Sequence, residues 1–172
     1  LLQAVRSFFH GRAYTEVDTP IRLPVLLPET HIRPFSSEGW FLQTSPEQCM
    51  KRLLAQGCRQ LFQICHCFRK EEVGRHHQSE FTLLEWYHAG WGYKELMEEC
   101  EEFICALVCS GKGLAGVTVQ DSLQRGDRTI SLTGPWERLS VEEAFRRYAR
   151  LPVAEALCQD QFDLLLVTEI EP

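Results

Sequence analysis

LFQICHCFRKEEVGRHHQSEFTLLEWYHA, residues 61–89, sets two apolar, aromatic-rich runs on either side of a segment crowded with arginine, histidine, lysine and glutamate. LFQICHCF (61–68) and FTLLEWYHA (81–89) read as two strands. The stretch between them, with one glycine at 74, is too long for a tight hairpin turn, so an extended loop connects them. Strands joined by so much opposed charge point to a bridge that holds a ligand.

The chemistry of that bridge can be read residue by residue. Arg69 leaves the first strand, and its planar fork suits an anionic oxygen pair, phosphate being the common one. Glu71 and Glu72 suit an amine or amide edge, or Mg²⁺. His76, His77 and Gln78 add donors as the chain returns, and Phe81 offers a ring for stacking on a base. Together these form a nucleotide-shaped set. Further along the second strand, Glu85 and Tyr87 are two apart and share a face, where they could grip a cationic group. Leu83 stands between Phe81 and Glu85, so the strand itself offers Glu85 no second acid. Blander readings stand beside these: a charged surface loop without ligand, two independent histidines, Glu85 as an internal ion-pair partner, and Trp86 as core.

Outward from this stretch, Leu1, Leu2, Val5, Phe8 and Phe9 fall at helical spacing, and Gly11 ends that helix. EVDTP (16–20) is extended, because Pro20 pushes Thr19 out of helical space. Residues 20–39 hold four prolines and read as an irregular surface loop or lid. GWFLQT (39–44) reads as a strand, and TSPEQCMKRLLAQGC as a capped helix with a proline near its first turn. YKELMEECEEFICALVCS (93–110) is a helix whose apolar stripe is Leu96, Cys100, Phe103, Ile104, Leu107 and Val108, with acids opposite. VTVQ (117–120) and RTISLT (128–133) can pair around QRGD, and Ser140-Val-Glu-Glu143 is a capping box. GKG at 111–113 lacks the upstream glycine and following Ser/Thr of a phosphate loop. Strands flanked by separate helices indicate an α+β domain with a largely antiparallel sheet.

Composition narrows the classes. A chain of 172 residues with 44% apolar content suits one domain with a real core. A net charge of −6 argues against a general nucleic-acid surface. No run of eighteen apolar residues suggests a membrane span, and LLQAVRSFFHGR does not read as a signal peptide. Both ends break off abruptly and read as cut. Eight cysteines, none in C-x-x-C spacing, read as buried thiols of a reducing cytoplasm more than as a metal site.

F-R-x-E-E-x-G-R-x-H-x-x-E-F-T-x-L-E-W-Y, at 68–87, resembles motif 2 of the class II aminoacyl-tRNA synthetases in their lysyl-type form. TSPEQCMKRLLAQGCRQLFQICHCFR resembles the same group, and EVDTP after an amphipathic helix resembles motif 1, which ends in a proline at a dimer interface. Motif 1 thus covers about 1–20 and motif 2 about 61–89, with a fainter likeness through LSVEEAFRRYA. Within the group, EEVGR, LEWY and MKRLLAQG are more similar to the paralogues that ligate lysine or β-lysine to elongation factor P than to true lysyl-tRNA synthetases.

The resemblance implies a class II synthetase-like catalytic domain over 1–172, homodimeric, in the cytoplasm and off the membrane. It implies that ATP and lysine or β-lysine give an aminoacyl-adenylate, with Mg²⁺ held mostly by residues beyond this stretch. The acceptor is elongation factor P or, alternatively, tRNA-Lys. A non-catalytic regulatory or dimerisation module is the third reading. On the ATP side the likeness places Arg69 at the α-phosphate, Glu71 at the adenine amine and Phe81 on the ring, with Lys70, His77 and Gln78 beside them. Ser45, Pro46 and Glu47 border the substrate's amino end, and Glu85 and Tyr87 hold its distal amine. No metal ligand is assigned. Three departures stand out: Gln78-Ser79 for the usual Asn-Pro, Lys70 for an asparagine, and no glycine-rich G-x-D-R segment of motif 3. The stretch therefore reads as lacking half of an ATP site and as inactive by itself.

Overall fold

The computed structural model describes residues 1–25, 28–110, 122–149 and 153–169. They group into two compact units, Leu1–Ser131 and Leu132–Pro172.

The first unit is organised by two long antiparallel strands, β5 (Gln60–Phe68) and β6 (Glu80–His88), after the shorter β1 (Thr15–Glu16), β2 (Arg22–Leu23), β3 (Ser36–Ser37) and β4 (Trp40–Leu42). Helices α1 (Leu2–Gly11), α2 (Glu47–Ala55) and α3 (Tyr93–Ser110) complete it, with a hairpin of β7 (Ser122–Arg125) and β8 (Arg128–Ser131). The register of β5 and β6 runs unbroken from Gln60↔His88 to Phe68↔Glu80. β1 adds in parallel at Leu61 and Phe62, and a second small sheet has the order β2-β4-β3.

Alternation along the long pair divides it into two faces. Phe62, Ile64, Leu84 and Trp86 point to α1 and α3, where they meet Val5, Phe8, Phe9, Tyr14, Phe103 and Leu107. Phe9 is fully buried at the centre, its ring stacked on Phe62 at 4.8 Å and tilted against Phe103 at 5.3 Å. Burial of one such side chain is worth about 1.5–3 kcal/mol. Arg6 ties α1 to β1 through Glu16 at 2.9 Å.

An acid also sits in this core. Glu99 of α3 is 3% exposed and accepts from Tyr14 Oη at 2.8 Å and Trp86 Nε1 at 2.9 Å. Two neutral donors supply the hydrogen bonds that burial takes from water. The apolar stripe expected for α3 is correspondingly shifted. Phe103 and Leu107 pack inward, whereas Leu96 and Ile104 are each 40% exposed.

The 20–39 segment, expected to be irregular throughout, contributes β2 and β3, two residues each and too short to show a period. In the β7–β8 hairpin the turn is Gly126-Asp127, with Gly126 at φ 58°, where a side chain would strain the backbone. VTVQ (117–120), expected as one of its strands, lies outside the described residues. The thiols are not uniformly buried as expected: Cys65 and Cys67 are buried, whereas Cys58, Cys109 and Cys158 are exposed.

The second unit opens on α4, Val141–Ala144, continued by a π-helical turn over Phe145–Ala149. Ser140 Oγ accepts from the Glu143 N–H at 3.1 Å, the capping half of the expected box. Helices α5 (Val153–Cys158) and α6 (Phe162–Glu169) follow, and Val153 and Ala156 are buried against Phe145, Ala149, Phe162 and Leu165.

Phe9→Ala should destabilise the first unit by about 3–5 kcal/mol, and Leu96→Ala by under about 1 kcal/mol. Urea unfolding followed by tryptophan fluorescence checks this, and equal losses would contradict the placement of the core.

Candidate active site

The other face of the hairpin carries Leu61, Gln63, Cys65 and Cys67 from β5, opposite Tyr87, Glu85, Leu83 and Phe81 from β6. One end of this face borders the 43–47 segment. There Phe68 N donates to Gln43 O at 2.9 Å and Gln43 Nε2 donates to His66 O at 2.8 Å, so Gln43 occupies the β5 edge beyond the residues that β1 pairs.

This anchoring delivers Ser45 to Glu85. Ser45 Oγ donates to Glu85 Oε2 at 2.7 Å and accepts from the Glu47 N–H at 3.1 Å, a capping contact at the start of α2. The residue at the cap position itself is Pro46, which has no side-chain donor or acceptor. Tyr87 Oη donates to the other carboxylate oxygen, Glu85 Oε1, at 2.5 Å. Burial and that carboxylate push the Tyr87 phenol well above its usual value of 10.0. Glu85 is therefore a half-buried acid held by two neutral hydroxyls, with no ion-pair partner among the described residues. Glu47 is paired with Lys51 at 2.5 Å on the first turns of α2.

Arg69 follows Phe68 directly, at the loop end of the face. Its Nε donates to Thr44 O at 3.3 Å, its Cζ lies 5.1 Å from the Phe81 ring centre, and its Nη1 is 3.7 Å from Glu72. Thr44 and Ser45 are adjacent, so one short segment braces both Arg69 and Glu85. A guanidinium held by its Nε and by an aromatic ring keeps its outer N–H groups aimed for a planar anion.

The loop places the remaining residues farther out. Lys70, His77 and Gln78 are exposed, and Gly74 and His77 close the loop tip by the Gly74 N–H to His77 O at 3.1 Å. Glu71 lies at φ 73°, and its carboxylate pairs with Arg33 at 3.2 Å. The backbone repeats that link, Lys70 N donating to Arg33 O at 2.7 Å. The proline-rich segment is thus pinned to the loop, and an adenine amine at Glu71 would share that carboxylate with Arg33. Arg33 was not singled out in the sequence, nor were Gln43, Gln63 and Thr19. Thr19 Oγ1 donates to Gln63 Oε1 at 3.0 Å, whereas Gln63 Nε2 and Gln43 Oε1 are buried without hydrogen-bond partners. Only their polarity within apolar runs could have marked the glutamines.

A cleft of about 430 Å³ opens on the opposite, helix-facing side, lined by Arg12, His88, Trp91, Glu95 and Glu98 among others. It gathers none of the residues expected to meet ATP or lysine. No helix among the described residues is long and apolar enough to cross a membrane.

The antiparallel hairpin thus carries an arginine and an aromatic ring at its loop end and an acid–tyrosine pair farther down. The chain belongs to the class II tRNA synthetases (D, K and N), whose family model matches residues 1–170. Lysine–tRNA ligase 2 of Methanosarcina mazei is 32% identical over 177 residues, covering 99% of this chain and 33% of that protein. Elongation factor P–(R)-β-lysine ligase of Salmonella paratyphi B is 41% identical over 161 residues, covering 88% of this chain and 42% of that protein. The chain therefore spans less than half the length of these relatives.

Tyr14, like Tyr87, has its phenol raised above 10.0, by burial and by Glu99. A raised folded-state pKa means that the folded protein keeps protons the unfolded chain releases. Stability is therefore full below about pH 10 and falls as pH rises beyond it. A phenolate absorbance titration should show two of the four tyrosines ionising only with unfolding. Tyr87→Phe should leave one such phenol, and four tyrosines titrating together near pH 10 would contradict the geometry.

Proposed function

We propose that the full-length protein activates lysine or β-lysine with ATP and transfers it to a lysine of elongation factor P. The observation that carries this reading is Glu85: a half-buried carboxylate, hydrogen-bonded to Ser45 and Tyr87 but unpaired by any cation among the described residues. Such a carboxylate has lone pairs left for an ammonium, and charge-assisted hydrogen bonds of that kind are worth about 1.5–3 kcal/mol. Pro46 and Glu47 border the same place and would face the substrate's amino end.

In the proposed reaction a substrate carboxylate oxygen attacks the α-phosphorus of ATP. The P–O bond to the β,γ-phosphates breaks, giving an aminoacyl-adenylate and pyrophosphate. Negative charge grows on the α-phosphate during attack, and Arg69 stands where it would stabilise that charge. Phe81 would stack on the adenine, with Glu71 at its amine and Lys70, His77 and Gln78 around the phosphates and base. The acceptor amine then attacks the activated carbonyl and releases AMP. The family implies Mg²⁺, but the described residues gather no set of three or more acids, histidines or cysteines around one point, so no step is assigned to it.

The acceptor follows the higher identity, 41%, to the elongation factor P ligase. Charging of tRNA-Lys is the second reading, favoured by the match to a lysine–tRNA ligase along 99% of this chain. A regulatory or dimerisation module without catalysis is a third. We further propose one catalytic domain across residues 1–172, a homodimer through the motif 1 region, and a cytoplasmic location.

Pyrophosphate exchange into ATP by the full-length protein tests activation. Arg69→Ala should lower it about 10²–10³-fold. Glu85→Gln should raise the KM for lysine or β-lysine about tenfold or more while sparing the KM for ATP. Unchanged exchange in Arg69→Ala would remove that residue from the reaction. Transfer to tRNA-Lys but not to elongation factor P would select the second reading.

A further inference from the structure

Arg33 holds the loop between β5 and β6 with both its backbone and its side chain. Its carbonyl accepts from the Lys70 N–H at 2.7 Å, the single antiparallel bridge between the two segments. One guanidinium nitrogen, Nη1, lies 3.3 Å from Glu71 Oε1 and 3.2 Å from Oε2, so it straddles the carboxylate. The hold has a fixed base on each side. The Phe35 carbonyl accepts from the Leu42 N–H at 2.9 Å, where the segment enters the pairing of β3 with β4. Across from it, the Arg69 N–H donates to Ser79 O at 2.9 Å, one step past the last β5–β6 pair.

Glu71 has its backbone at φ 73°, a region that a residue with a side chain enters at a cost. Such a conformation persists where its neighbours impose it. Here the Lys70 bridge precedes it, and the Val73 N–H closes a turn onto Glu71 O at 3.0 Å. The contact with Arg33 then sets the direction of the carboxylate. The two side chains are 71% and 57% exposed, so the pair adds little to stability. Orientation is what it supplies. Straddled by one nitrogen, the carboxylate keeps lone pairs for a second donor.

We propose that Arg33 is a positioning residue for base selection: by holding the Glu71 carboxylate as an oriented acceptor, it favours a purine with a 6-amino group over one with a 6-oxo group. This rests on the proposed placing of adenine at Glu71 and Phe81. A 6-amino group donates to the carboxylate. A 6-oxo group meets it acceptor to acceptor, and that mismatch rejects the wrong base. Without Arg33 the carboxylate turns aside, and the mismatch costs less.

The test is equilibrium binding of ATP and of ITP to the full-length protein. The two share ribose and triphosphate and differ at the base edge around position 6, so the ratio of their Kd values is blind to contacts with phosphate. Arg33→Ala should lower the preference for ATP about two- to fivefold, and Arg33→Lys should restore most of it. Added salt should narrow the gap between Arg33→Ala and the unaltered protein, because the pair is exposed. Arg22→Ala removes a contact with Ser37 O in the same small sheet and should leave the ratio unchanged. Glu71→Ala should lower the preference at least as far as Arg33→Ala, and adding Arg33→Ala to it should change nothing more. An unchanged ratio in Arg33→Ala beside a lowered one in Glu71→Ala would overturn the role of Arg33 alone. An equal loss in Arg22→Ala, or additive effects of Arg33→Ala and Glu71→Ala, would also overturn it. An unchanged ratio in Glu71→Ala, or no binding of ATP, would overturn it together with the placing of adenine.

Discussion

The constraint on which the structure depends is the register of β5 against β6. Nine consecutive pairs, from Gln60↔His88 to Phe68↔Glu80, fix which side chains face the helices and which face the opposite way. A slip of β6 by one residue would exchange its faces, burying Glu85 against Phe9 and turning Trp86 away from it. The aromatic cluster prevents that slip, because Phe62 and Trp86 have partners in Phe9 and Phe103 on one side only. The hydrophobic core and the placing of Glu85 and Arg69 are therefore one property of the chain.

Glu99 and Glu85 show how the same residue type serves different ends. Both are acids held by aromatic and hydroxyl donors near the same hairpin. Glu99 lies on the helix side at 3% exposure, its oxygens facing Tyr14 and Trp86. Glu85 lies on the other face, only half-buried, with hydroxyl partners that orient the carboxylate without neutralising it. Closure around an internal donor pair suits structure, and an oriented but uncompensated charge suits an incoming cation. The second arrangement requires Ser45, which Gln43 positions from the far side of the sheet edge.

Much of this was legible in the sequence because it rests on period and spacing. The two strands, their extended loop, the shared face of Phe81, Glu85 and Tyr87, and α1 and α3 all carry local signals that tertiary structure did not override. Residues held by distant partners were not legible. Glu99 resembles its acidic neighbours on α3, and only the folded chain brings Tyr14 to it from 85 positions away. Arg33 looks like a loop arginine until it pairs with Glu71 across 38 positions. The strands β2 and β3 exist only because β4 lies between them, and two residues cannot display an alternation. Ser45 was placed by resemblance, but its double role at the start of α2 and on Glu85 is a matter of geometry alone.

The most direct test is a crystal structure of the full-length protein with a non-hydrolysable lysyl-adenylate analogue. The phosphate-equivalent group should lie within hydrogen-bonding distance of the Arg69 guanidinium, and the distal ammonium within that distance of Glu85. An analogue bound instead in the helix-facing cleft beside His88 and Trp91 would contradict the division of the hairpin into a structural face and a ligand face.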